Sequence, residues 1–177
     1  MVARSLRAAV DLEELGPIAL HVDCDILNAD GGTRCASITA ANLALRLGVR
    51  RLISAGICLP QNMRPTEEQR RSGWSAPVLS VDEKKAHEMR VMPHDVAAIS
   101  VGLIDGKSYL DLDYNLDSNA DVDMNVVKVS DGSFVEVQGT GEEATYQREE
   151  LDALLDMADI GFSSLFEMQK SILDGQE

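Results

Sequence analysis

Two short stretches combine residue types and spacings that could do chemistry. The first is Gly31-Gly32-Thr33-Arg34. Glycines let a backbone turn approach an anion closely, and the amides freed at a helix N-terminus then point at it along the helix dipole. A threonine hydroxyl and an arginine fork add charge-assisted donors suited to phosphate. On the motif alone, a plain glycine turn leading into a helix explains the same residues.

The second stretch runs from Asp111 to Asn125 and holds five aspartates within thirteen residues, namely Asp111, Asp113, Asp117, Asp121 and Asp123. Clustered carboxylates raise one another's pKa unless a cation neutralises them, and a hard divalent ion such as Mg²⁺ prefers oxygen ligands of this kind. An EF-hand loop is excluded. Counting from Asp121, Val126 stands where glycine is required and Gly132 where glutamate is; the frames from Asp111 and Asp117 fail likewise. A solvated acidic loop remains the plain alternative. Glu136-Val137-Gln138-Gly139-Thr140 reads as a strand end with a glycine bulge. Cys24 and Cys35 read as small buried hydrophobes. His21, His87 and His94 are dispersed without an evident partner, and no chemistry is assigned to them.

The elements that must position these residues follow from periodicity. Ile18, Leu20, Val22, Cys24 and Ile26 alternate through residues 17–29, the pattern of a strand with one buried face. Asp30-Gly31-Gly32 then turns into a proline-free helix from Thr33 to about Ala55, with Gly56 as its C-terminal stop. Residues 60–93 hold four of the five prolines and read as a long surface loop, with a short helix fitting around Val81–Arg90. Apolar runs flank Asp105-Gly106 and again Asp131-Gly132, which predicts two hairpins and four antiparallel strands. Leu151, Leu154, Leu155, Ala158, Phe162, Leu165 and Met168 recur at helical spacing between Gln147 and Asp174. The sum is a single α+β domain, residues 1–177, with an antiparallel sheet and helices packed on one face.

Composition bounds the partners. Hydrophobic residues make up 45% and charged residues 26% of the 177, the profile of a soluble globular chain. No apolar run is long enough to cross a membrane, and three unclustered cysteines fit reduced thiols in the cytoplasm. Net charge is −14, unevenly spread: residues 1–90 carry 12 basic and 11 acidic side chains, residues 91–177 carry 4 and 19. Charge of that sign in the second half repels a polyanion, so composition alone argues against nucleic-acid binding.

Longer motifs point the other way. RSLRAAVDL (Arg4–Leu12), VDCDILNADGGTRCASITA (Val22–Ala40), AAISVGLIDG (Ala97–Gly106), LDLDYNLDSNADVDMNVV (Leu110–Val127) and FVEVQGTGEEATYQREELDALLDMA (Phe134–Ala158) resemble bacterial ribonuclease PH, in the same order along the chain. The resemblance implies a fold like ribosomal protein S5 domain 2 and a phosphate-dependent 3′-5′ exoribonuclease that trims tRNA 3′ ends and releases nucleoside diphosphates. It implies that Gly32, Thr33 and Arg34 hold the attacking inorganic phosphate. It implies that Asp117 and Asp123 are catalytic, serving Mg²⁺ or acting as general acid. RNA is then the macromolecular partner, and a homo-oligomer, a hexameric ring of dimers in the family, is the expected assembly. The resemblance starts partway into the family's pattern, so the N-terminal part of that fold is expected to be missing and 60–93 to be an inserted surface loop. An alternative reading is an inactive truncated paralogue serving only as a subunit or interaction protein.

Overall fold

A computed structural model of the chain describes residues 1–141 and 144–175; Glu142 and Glu143, part of the last motif quoted, lie outside the described residues. The two Asp-Gly turns build the sheet. Asp105 (φ 49°) and Gly106 (φ 71°) both adopt positive φ, which lets a two-residue turn join β1 (Val96–Ile104) to β2 (Lys107–Leu110). β3 (Val122–Val129) returns antiparallel to β1, and β4 (Phe134–Gly141) antiparallel to β3, giving the order β2-β1-β3-β4. The α+β, antiparallel architecture expected from the two hairpins is therefore present.

The helices are distributed differently from the expectation of a single covered face. Val96 and Ala98 join a core with α3 (Thr33–Ser54), while Ala97, Ile99, Val101 and Leu103 join a second core with α7 (Arg148–Asp174). Successive residues of a strand point to opposite faces, so α3 and α7 lie on opposite sides of the sheet. β1 dictates this. Its run VAAISVGLI offers no polar face to water and must be covered on both sides. α7 begins with a capping box between Gln147 and Glu150 and buries Leu154, Ala158 and Phe162 as its spacing predicts, although Met168 stays exposed.

β2 pairs only with Val101–Ile104, which leaves one edge of the first half of β1 without a strand neighbour among the described residues. Side chains take its place. Thr39 Oγ1 accepts from the Ala98 N–H (3.0 Å) and donates to the Ala98 carbonyl (3.2 Å). Gln169 Nε2 donates to the carbonyls of Val96 (3.0 Å) and Thr39 (3.2 Å). Backbone polar groups are thereby satisfied without a strand, and both helices are fastened to β1. At its far end α3 stops as expected: Gly56 takes φ 70°, its N–H bonds the Ile53 carbonyl and the Ile57 N–H bonds the Leu52 carbonyl.

Two sequence expectations are corrected. Residues 17–29 form no strand, because strand pairing is a tertiary property and no strand lies beside them among the described residues. The alternation survives in part: Ile18 and Leu20 pack on the core beneath α1 (Val2–Ala8) and α2 (Leu12–Leu15), while Val22 and Ile26 are exposed. Nor is the whole of 60–93 a surface loop. Its first half carries only a 3-10 turn (Gln61–Met63) and the short exposed α4 (Glu67–Arg71), but Leu79 and α5 (Val81–Val91) pack against α3. The reason is a buried ion network. Arg46 of α3 donates to Glu88 of α5 (3.2 Å), to Asp95 ahead of β1 (2.8 Å) and to the Met92 carbonyl (3.0 Å), and Arg50 donates to Glu88 (2.9 Å).

Removing one member of a buried network leaves charge without its partner. Arg46→Ala is expected to cost about 3 kcal/mol, which for a domain of this size lowers the melting temperature by roughly 6–12 °C. Thermal denaturation followed by circular dichroism reads the shift, and a change within about 2 °C would show that the network carries little of the stability.

Candidate active site

The glycine turn is placed by a contact no other residue permits. Gly31 (φ 55°) and Gly32 (φ 51°) are both left-handed, and a β-carbon on Gly31 would sit 2.0 Å from the Leu112 carbonyl oxygen. Gly32 is the N-cap of α3 and contributes no side chain to the cap; the first intrahelical bond there runs from the Ala36 N–H to the Gly32 carbonyl. The N–H groups of Thr33, Arg34 and Cys35 are consequently unspent within the helix, and the positive end of a 22-residue helix dipole stands behind them.

The acidic stretch is held against this turn by its own backbone. The Asp111 and Leu112 N–H groups donate to the Ser100 carbonyl (2.8 Å) and Ser100 Oγ (3.2 Å). Asp30 Oδ1 accepts from the Tyr114 N–H at 2.8 Å, which locks the glycine turn to the start of α6 (Tyr114–Asp117). The aspartates then divide by task. Asp113 caps α6 through the Leu116 N–H (2.8 Å), and Asp121 accepts from the Asp105 N–H in the first hairpin turn (2.8 Å). Asp117 and Asp123 are half-buried.

A cavity of about 250 Å³ lies between turn and sheet, and Gly32, Thr33, Arg34, Asp117 and Asp123 all line it. The five residues singled out in the sequence therefore share one opening, with a cationic helix terminus on one wall and two carboxylates on the other. Ser100, Tyr114 and Asn125 also line it and were not singled out. Ser100 and Asn125 are direct cross-strand partners of β1 and β3. Polar residues within otherwise apolar strands were the available signal for both. No group of three or more His, Cys, Asp or Glu that could hold a metal converges among the described residues. Two carboxylates suit Mg²⁺, which keeps several waters and binds through one or two carboxylates together with substrate phosphate oxygens.

Cys35 is buried beside this cavity and its thiol donates to Asn125 Oδ1 at 2.9 Å. Burial foremost, then the negative charge of Asp123, push the thiol up to about 12, with Arg34 opposing. Cys24, expected to be buried, is exposed, because the segment carrying it is not in a sheet. His87, read as lacking a partner, is buried against Cys58 (3.5 Å) and near Glu14 (3.7 Å); burial and then Arg90 hold its pKa below the ordinary value.

The folded thiol pKa of Cys35 exceeds its ordinary value near 9, so the stabilisation it gives is complete below pH 9 and is lost as pH rises toward 12. Thiolate is the reactive form. At pH 8 a maleimide or iodoacetamide should therefore label Cys24 rapidly and leave Cys35 unmodified, as read by mass spectrometry of peptides. Equal labelling of the two in the folded chain would contradict the burial described.

Comparison with known proteins gives this geometry a lineage. Domain 1 of the 3′ exoribonuclease family matches residues 1–48, which contain the glycine turn, and domain 2 of that family matches residues 94–161, which contain both carboxylates. The chain is 42% identical over 170 residues to the ribonuclease PH of Synechococcus sp. (strain CC9605), aligning 96% of itself with 57% of that protein. To the ribonuclease PH of Corynebacterium efficiens it is 43% identical over 173 residues, aligning 98% of itself with 59% of the relative. The crystal structure of rice (Oryza sativa) Rrp46 superposes with a TM-score of 0.53 at 12% identity, over 84% of this chain and 51% of that one, a likeness of fold. The chain thus spans 57–59% of the length of the curated relatives named here. Two family domains matched in order, with relatives of that similarity along almost the whole chain, establish that it belongs to the ribonuclease PH family of 3′ exoribonucleases.

Proposed function

We propose that the chain carries the catalytic cavity of a phosphate-dependent 3′-5′ exoribonuclease acting on the 3′ ends of RNA, tRNA precursors among them. The observation that carries this reading is the single cavity shared by Gly32-Thr33-Arg34 and the Asp117/Asp123 pair. Inorganic phosphate held by the free N–H groups of α3, the Thr33 hydroxyl and the Arg34 guanidinium presents an oxygen to the phosphorus of the last phosphodiester. The P–O3′ bond breaks as the new P–O bond forms. The terminal residue leaves as a nucleoside diphosphate, and the shortened RNA keeps its 3′ oxygen, which takes up a proton.

Asp117 and Asp123 stand where that proton can be supplied or where Mg²⁺ can be held. When bound there, the ion would reduce repulsion between the two reacting phosphates. Arg34 and the helix terminus do the same from the opposite wall. The reverse reaction, adding a nucleotide from its diphosphate, uses the same groups.

Charge and fold support the partners. The first 90 residues are nearly neutral, so RNA meets less repulsion on the α3 side than along the strongly acidic second half. Leu12 of α2 and Val22, both exposed, and β4, an edge strand among the described residues, suit self-association, and we propose a homo-oligomer. Among the described residues no helix is long and apolar enough to cross a membrane. Free thiols at Cys24, Cys35 and Cys58 fit the cytoplasm, where we place the protein.

The purified chain, incubated with a short RNA, Mg²⁺ and phosphate, should release nucleoside diphosphates, and none when phosphate is left out. Arg34→Ala, Asp117→Asn and Asp123→Asn are each expected to lower the rate about 100-fold or more. Hydrolysis products independent of phosphate would overturn the mechanism. A wild-type chain that folds yet releases nothing would favour a non-catalytic subunit.

A further inference from the structure

Asn125 is only 5% exposed and yet lines the cavity, a placement a polar amide adopts when its hydrogen-bonding groups have work there. Its oxygen is engaged by the Cys35 thiol, itself 3% exposed, at 2.9 Å. A donating thiol selects the acceptor end of the amide, so Oδ1 faces Cys35 and the two N–H groups of Nδ2 face away. Among the described residues no hydrogen bond runs from Nδ2, and Asn125 lines the cavity. Asn125 also follows Asp123 by two positions in β3 and therefore shares its face, opposite the N-terminus of α3.

We infer that Asn125 Nδ2 is a second anion donor, gripping a phosphate oxygen from the strand side, and that Cys35 positions it by holding the amide oxygen. This rests on the phosphate-dependent reading of the cavity and adds the wall facing Arg34. The need is electrostatic. An anion between α3 and β3 lies beside Asp123, and a neutral donor pair next to that carboxylate offsets the repulsion without adding charge. The burial of Cys35 and its 2.9 Å approach to Asn125 Oδ1 suit a thiol in that donating role.

The anion could be free phosphate or the terminal phosphodiester of RNA, and separate calorimetric titrations of the full chain with inorganic phosphate and with a short 3′-hydroxyl RNA distinguish them. Asn125→Ala should weaken binding of one of the two about tenfold or more. Cys35→Ala should weaken the same ligand several-fold, Cys35→Ser should restore it to within about threefold of wild type, and Cys35→Ala added to Asn125→Ala should weaken it no further. A purely structural role would lower the melting temperature of these variants and leave both affinities alone. That outcome, or full additivity of the two alanine substitutions, overturns the inference while leaving the cavity reading in place. A folded wild-type chain that binds no phosphate at all removes both.

Discussion

Gly31 lies so close to the Leu112 carbonyl that nothing larger than hydrogen fits on its Cα, and the rest of the site depends on that approach. It welds a turn presenting unspent N–H groups to a loop presenting carboxylates. Neither can be moved without the other. The Asp30–Tyr114 hydrogen bond and the two bonds that Ser100 accepts from Asp111 and Leu112 hold the weld from both sides. A cavity lined by Arg34 together with Asp117 and Asp123 is the direct result.

The scaffold behind this contact is a strand that cannot face water on either side. β1 is buried along nearly its whole length, so it recruits α3 to one face and α7 to the other, and Thr39 and Gln169 finish its open edge. α3 therefore has a fixed direction as well as a fixed place. It runs about 33 Å from the cavity to the Gly56 stop. Along the way Arg46 and Arg50 tie it to α5, well away from the site. The part of α3 that lines the cavity and the part that anchors the helix are opposite ends of one element.

Local chemistry was the legible part of the sequence. Asp-Gly turns, the Gly56 stop and the 3.6-residue pattern of α7 are written in neighbouring residues, and the structure forms each one. Of the five candidate site residues, local chemistry marks only a glycine turn before a helix and a run of five aspartates, each with a plain structural alternative; the resemblance to ribonuclease PH is what separates Asp117 and Asp123 from the other three. What stayed hidden was tertiary. Residues 17–29 alternate like a strand but have no ladder to join. Half of 60–93 folds against α3 because of Arg46 and Glu88, residues 42 apart in sequence. Asn125 and Ser100 become site residues only through the β1–β3 register, and Asp113 and Asp121 look like Asp117 and Asp123 until their capping bonds are seen.

The region matching each family domain lines the cavity, the helix terminus from domain 1 and the carboxylates from domain 2, so the cavity exists only where they meet. The most direct measurement is a crystal of the chain soaked in phosphate and Mn²⁺, with anomalous scattering locating the metal. The account predicts an anion against the N–H groups of Thr33 and Arg34, and manganese against Asp117 and Asp123 within the same cavity. Anion and metal in separate places, or an Arg34 side chain turned away from an anion that does bind there, would contradict it.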